Sequence, residues 1–312
     1  IDSICGGRGI CGRCQITVGD GDFPKFGIQS QGDHLSPWGA LEQRYIERRT
    51  LVDGRRLSCA SQLMGDVVID VPAESQLHKQ IVRKQAESRV VEIDRVVRLH
   101  YVDITGPSLS DQRSDVARLK AALAKEWGLN DVSFNPRLLA GLPALLSDGD
   151  WQITVAMRYE TEIIALWPGF HDRVYGLAVD IGTTTIAAHL NDLETGEVVA
   201  AAGIMNPQIR FGEDLISRVS FIQQNPDSRD ELTTVVRQAV DDLACQTIAE
   251  VGAEVGDIVD MTVVGNPIMH HIFLGIDPLQ LGRTPFALVV EDAVTVLADD
   301  LGITAVNPST RI

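Results

Sequence analysis

Apolar and polar residues recur along this chain with two different periods, and each change of period marks a predicted element. CQITV and DVVIDVP, in the first quarter, alternate with a period of two and read as strands. RVVEIDRVVRLHYVDI and WQITVAMRYETEIIALWPG read as further strands. Between them SDVARLKAALAKEWG switches to a helical period: Val116, Leu119 and Leu123 recur at three and four, Ser114 is placed to cap the helix and Gly128 to stop it. YGLAVDIGTTTIAAHLNDLETGEVVAAAG predicts an apolar strand, a second strand, an Asp-Leu-Glu-Thr-Gly turn and a third strand. SRDELTTVVRQAVDDLACQTIAEVG predicts a long amphipathic helix in which Cys245 reads as a buried small hydrophobe. VDMTVVGNPIMHHIF follows as a buried strand running into Gly265 and Asn266.

A chain of 312 residues is too long for one compact core. The pattern divides it into residues 1–76, a polar linker over 77–89 drawn mostly from AESQLHKQIVRKQAES, a small α/β unit over 90–171, and a larger α/β unit over 172–312. The fold class expected is therefore multidomain, α+β and α/β. The middle unit gathers no cluster of catalytic residue types, so scaffold or dimer surface is its expected role.

Charge narrows the partners. The formal net charge is -16, and residues 172–312 hold 21 Asp and Glu against 7 Arg and no Lys, a net of -14. Nucleic acid and anionic membrane both require a basic footprint and are excluded as partners of that half. The absence of lysine there also excludes a P-loop. Apolar stretches are broken by charges well short of a membrane span, and no secretory or lipid signal is visible, which points to the cytoplasm.

Five cysteines are present, and three of them crowd into IDSICGGRGICGRC as Cys5, Cys11 and Cys14. Forty-four residues separate Cys14 from a fourth, Cys59, in RRLSCASQL. In a reducing compartment a group this tight reads as metal-binding rather than as a disulfide framework. A two-iron, two-sulfur cluster needs four thiolates and a loop that wraps closely round sulfides accepting backbone N–H bonds. Gly6, Gly7, Gly9 and Gly12 permit that approach. A structural zinc ion on the same four cysteines is the alternative, although zinc knuckles present two C-x2-C pairs and this chain has one. The long stretch between Cys14 and Cys59 is expected to hold a helix with flanking loops.

The second chemical signal is D-I-G-T-T-T. An Asp at the end of a buried strand, Asp180, can hold a magnesium ion through water, while Gly182, Thr183 and Thr184 can surround phosphate oxygens. Without a nearby lysine, metal and backbone dipoles must carry the phosphate charge. Asp214 and Arg218 fall on one helical face, four apart, with a surface ion pair as the alternative. Strand ends face the ligand cleft in such sheets, which makes Gly265 and Asn266 candidates for lining it. His270 and His271 diverge by about a hundred degrees on a helix and read as packing or capping residues.

These motifs carry a resemblance. The cysteine loop resembles the 2Fe-2S ferredoxins with a β-grasp fold, its first gap being of the adrenodoxin type. The strand, D-x-G-T-T, strand, turn, strand order resembles the first phosphate motif of the superfamily of acetate and sugar kinases, Hsc-type chaperones and actin, whose fold is ribonuclease H-like. With N-P-Q, V-G-N-P-x-M-H-H and P-F in order after them, the whole set from Cys5 to Phe286 resembles the reductive activators of corrinoid proteins. That resemblance implies a 2Fe-2S cluster held by Cys5, Cys11, Cys14 and Cys59, and ATP with Mg2+ held by Asp180, Gly182, Thr183 and Thr184. Asn206, Asp214 and Asn266 carry over with them, Asp180 and Asp214 as catalytic residues. It implies a low-potential electron donor, a corrinoid protein of a methyltransferase system as partner, return of cobalt(II) to cobalt(I), and admits a homodimer. The hairpin and helix that open a β-grasp ferredoxin do not precede Ile1, and the family's second phosphate and adenosine motifs do not follow, so a fragment is expected. A 2Fe-2S electron carrier without ATPase coupling and a small-molecule kinase of the acetate and sugar kinase superfamily are the competing functions.

Overall fold

The computed structural model describes residues 9, 12, 14–72, 75 and 93–312. The expected linker over 77–89 lies outside the described residues, as do Cys5 and Cys11.

Strand β1 (Gln15–Gly19) continues directly from Cys14 and is the centre of a three-stranded antiparallel sheet, flanked by β4 (Arg55–Leu57) and β5 (Val68–Asp70). A hairpin of β2 (Gly21–Phe23) and β3 (Ile28–Ser30) extends from it. The stretch between the two described cysteines holds the expected helix, α1 (Ala40–Arg48). Its small core is Cys14, Tyr45 and Leu57, with Leu51, Cys59 and Ala60 against it.

The middle unit is a four-stranded sheet in the order β6-β8-β9-β7, with β6 (Val97–Asp103), β7 (Ser133–Phe134), β8 (Gln152–Arg158) and β9 (Glu162–Pro168). Helix α2 (Asp115–Trp127) begins where Ser114 Oγ accepts from Ala117 N and ends at Gly128 with φ 73°, so both sequence signals fall where the caps are. With α3 (Leu142–Asp148) it covers one sheet face through Leu119, Leu123, Leu146, Val155 and Ile163.

The third unit carries strands β10 (Tyr175–Ile181), β11 (Thr185–Asp192), β12 (Val198–Met205) and β13 (Ile258–Gly265) in the order β12-β11-β10-β13. The first three form an antiparallel meander, and β13 returns parallel to β10 after α4 (Leu215–Gln224) and α5 (Ser228–Val251). This is the strand order of the actin-like, ribonuclease H-like class. Helix α5 lays Leu232, Val236, Val240, Leu243 and Ala244 along the sheet. Cys245 corrects the expectation from sequence: it is exposed. Residues 243, 244, 247 and 248 form the buried stripe, and position 245 turns to the outer face.

The middle and third units pack together. Val97, Ala156, Ile164 and Ala165 on the second face of the middle sheet form a core with Val174 and Val259. Burial on both faces explains the near-continuous apolar run of β8. Ion pairs rim this contact: Arg158 to Asp260 at 3.1 Å, Arg311 to Glu162 at 2.7 Å, Arg95 to Glu194 at 2.9 Å, and Arg137 to Asp299 and Asp300. His171 Nε2 and Asp257 Oδ1 lie 3.0 Å apart, without hydrogen-bond alignment. No helix among the described residues is long and apolar enough to cross a membrane.

Candidate functional site

Two sites emerge, one on the first sheet and one at the end of β10. In the first, the β1–β4 register sets Gln15 opposite Leu57, and Ser58 N donates to Cys14 O at 2.9 Å, so the backbones carrying Cys14 and Cys59 are tied together. A hydrogen bond from the Cys59 side chain draws the buried Cys14 thiol down to about 6, against the upward pull of burial. A thiol so readily ionised suits a thiolate metal ligand, and these two cysteines are the part of the predicted four-cysteine set that is described.

Helix α1 packs on this loop through one turn of residues. A Cβ at Gly9 would meet Leu41, and one at Gly12 would run into the Tyr45 hydroxyl; both glycines also have positive φ, 62° and 65°. Between Leu41 and Tyr45 stands Glu42, fully buried. It accepts from Arg56 Nε at 2.8 Å, Arg56 Nη2 at 2.7 Å and Leu57 N at 3.0 Å, two residues before Cys59. Arg56 also donates to Ser36 O at 3.0 Å and stacks over Trp38. Sequence reasoning missed this pair, because an acid in a helix's first turn and an Arg-Arg doublet both read as surface charge.

In the second site β10 and β13 end side by side, with Asp180 opposite Val264 and Ile181 opposite Gly265. The D-I-G-T-T turn therefore lies beside Gly265 and Asn266, at the carboxyl ends of two parallel strands. The turn is tight: Gly182 N donates to Thr185 O at 3.0 Å, and a Cβ at Gly182 would lie 2.7 Å from that same oxygen. Three successive carbonyls are gripped from behind. Asn206 Nδ2 donates to Gly182 O at 2.8 Å, Arg218 Nη2 donates to Thr183 O, and Asn206 N donates to Thr184 O at 2.8 Å. Because a trans peptide directs its N–H opposite to its C=O, the N–H groups of Thr183 and Thr184 point away from Asn206 and Arg218. Successive N–H groups in a turn can bind an anion where they converge.

The remaining predicted residues take distinct positions. Asn206 is buried behind the turn, its Oδ1 accepting from Gln208 N at 2.9 Å. Asn266 caps α6 (Pro267–Leu274) by accepting from Ile268 N and Met269 N, both at 3.1 Å. Asp214 is exposed and caps α4, accepting from Ser217 N at 2.7 Å, a bond that holds its carboxyl below the usual range. The surface ion pair that stood as the alternative for Asp214 and Arg218 does not form, since Arg218 turns inward and is fully buried. His271 packs as expected, its Nδ1 2.8 Å from Pro267 O and its Nε2 accepting from Val289 N at 3.1 Å. Burial, then His271, lowers the neighbouring His270.

The fold and these candidate sites define a multidomain α/β protein with two cysteines at its first sheet and the D-I-G-T-T turn on an actin-like sheet in its third unit. Family models for the RACo linker region and the RACo middle region match residues 86–173 and 175–312, and the chain belongs to the RACo family. The corrinoid activation enzyme RamQ of Eubacterium limosum is 30% identical over 99% of this chain and 46% of its own length. A solved structure titled reductive activator for corrinoid, iron-sulfur protein superposes with TM-score 0.60 at 29% identity, over 99% of this chain and 49% of that one. A component of the Na(+)-translocating NADH-quinone reductase of Idiomarina loihiensis is 34% identical over 74 residues, 24% of this chain and 15% of that protein. This chain thus spans about half the length of the activators it matches.

Proposed function

We propose that this chain forms part of an ATP-dependent reductive activator, which passes an electron from a 2Fe-2S cluster to the cobalt(II) of a corrinoid protein and regenerates cobalt(I). The observation that carries the reading is the turn after β10, whose three carbonyls are held from behind so that two N–H groups face forward, in a chain of the RACo family. On this reading residues 1–76 are the electron-transfer unit, 77–89 the linker, 90–171 the scaffold, and 172–312 the first part of the ATPase unit.

Cys5, Cys11, Cys14 and Cys59 would hold the cluster, which when bound supplies a one-electron carrier. The chain's own contribution there is to keep Cys14 ionisable and dry under Tyr45, and to fix the Cys59 backbone through Glu42. Asp180 would hold Mg2+ and the N–H groups and hydroxyls of Thr183 and Thr184 the phosphates, with Gly182 allowing the close approach. Gly265 and Asn266 border the cleft, Asn206 positions the turn from behind, and Asp214 is carried as the second catalytic carboxylate. Cobalt reduction is uphill for an ordinary cluster, so nucleotide must favour a state of the protein that the corrinoid partner also distinguishes, and linkage makes that coupling reciprocal. A low-potential donor would refill the cluster, and the cytoplasm supplies the reducing setting.

The test is Asp180→Ala in the full-length protein. Mg-dependent ATP hydrolysis should be abolished while iron content is retained, because the two sites lie on separate sheets. Hydrolysis at the wild-type rate would move the phosphate site elsewhere.

A further inference from the structure

No lysine occurs from residue 172 to the end of the chain, so the sequence leaves phosphate charge to metal and backbone dipoles. The structure adds a cation. The Arg218 side chain is 0% exposed, and its guanidinium donates to Gly212 O at 3.0 Å, Gln208 Oε1 at 3.1 Å, Met269 Sδ at 3.3 Å and Thr183 O. All four acceptors are neutral. Among the described residues Asp214 is the charge that acts on it, and that exposed carboxylate is committed to Ser217 N.

A guanidinium buried against neutral groups is costly, and the cost falls when an anion arrives nearby. Desolvation brings Arg218 down to about 10, which still leaves it charged at neutral pH. Its contact is with the turn itself: the carbonyl it holds belongs to the Thr183–Thr184 peptide, whose N–H points the opposite way. Donation to that carbonyl polarises the peptide and strengthens the N–H as a donor. In a low-dielectric interior the net charge also acts directly across the turn.

We propose that Arg218 is the positioning residue of the phosphate turn and supplies, from behind Thr183, the fixed positive charge that selects a polyphosphate ligand. It does the electrostatic task that a lysine performs in a P-loop, without touching the ligand. The proposal rests on the nucleotide reading of the turn.

The experiment measures dissociation constants of ATP, ADP and adenosine by calorimetry, with magnesium, on full-length wild type, Arg218→Gln and Arg218→Lys, each first checked for folding by thermal unfolding. Arg218→Gln keeps an amide donor and loses the charge. Its ATP affinity should fall about tenfold, near 1.4 kcal/mol, its ADP affinity less, and its adenosine affinity should not move. Arg218→Lys keeps the charge and loses the fork, and should retain the preference for ATP over adenosine within about threefold. Equal weakening of all three ligands in the Gln variant would reduce Arg218 to a structural residue and overturn the proposal. Should the Gln variant fail to fold, loss of the ATP preference in the charge-retaining Lys variant overturns it instead. Wild-type protein that binds ATP no better than adenosine would overturn the nucleotide reading and this proposal together.

Discussion

Arg158 of β8 and Asp260 of β13 meet at 3.1 Å across the contact between the middle and third units, with the Arg158 side chain only 7% exposed. Burial pushes the Asp260 carboxyl up, and the Arg158 guanidinium opposes that rise. Removing one partner strands the other. Asp260→Ala should therefore cost about 3 kcal/mol, read by urea unfolding, and a change below about 0.5 kcal/mol would show that this pair does not help to join the units.

Gly182 sits where a methyl group has no room. A Cβ there would lie 2.7 Å from Thr185 O, so Gly182→Ala must open the turn and release the grip on Thr183 and Thr184. ATP affinity in the full-length protein should fall tenfold or more, while the melting temperature moves by only a few degrees. Unchanged affinity would place the phosphates away from this turn.

Glu42 is the buried anchor of the cysteine-bearing sheet. Glu42→Ala leaves the Arg56 guanidinium with Ser36 O and the Trp38 ring and frees Leu57 N. A loss of about 3 kcal/mol is expected, together with most of the bound iron after reconstitution. Cys59→Ala should remove the iron without the same loss of stability. Full iron content in Glu42→Ala would mean that the pair does not position Cys59.

His100 gives the pH dependence. Its ring is buried edge-on against Trp127 at 4.8 Å, and neither nitrogen has a hydrogen-bond partner among the described residues. Burial lowers its pKa; Glu160 and Glu194 oppose that shift and Arg98 adds to it. The folded state thus holds this ring neutral where the unfolded chain, with a pKa of about 6.5, has begun to bind a proton. Its stability contribution is complete above that value and declines as pH falls below it, by at most about 1.4 kcal/mol per pH unit. His100→Phe should flatten that slope in urea unfolding between pH 5 and 7.5; an unaltered slope would assign it to other groups.

Much of this architecture was legible because local chemistry and tertiary position agreed. Ser114 and Gly128 bound α2 as capping residues should, and Asp192 takes the N–H groups of Glu194 and Thr195 in the turn that Asp-Leu-Glu-Thr-Gly announces. Legibility failed where a side chain's direction is set by partners far along the chain. Arg218 follows Asp214 by four and looks like half of a surface pair, yet Thr183 and Met269 draw it inward. Arg56 is buried because the Glu42 carboxylate pairs with it there. Cys245 shows the converse, an apolar-looking residue left outside because its neighbours fill the stripe.

The central claim is that nucleotide and electron transfer are coupled. Full-length protein is mixed with a cobalt(II) corrinoid protein and a low-potential reductant, and cobalt(I) is followed by its absorbance with and without ATP. The account predicts cobalt(I) accumulation that requires ATP, with hydrolysis that responds to the corrinoid partner. Equal cobalt(I) yields in both arms, with hydrolysis indifferent to the partner, would contradict it and leave an electron carrier fused to an idle nucleotide fold.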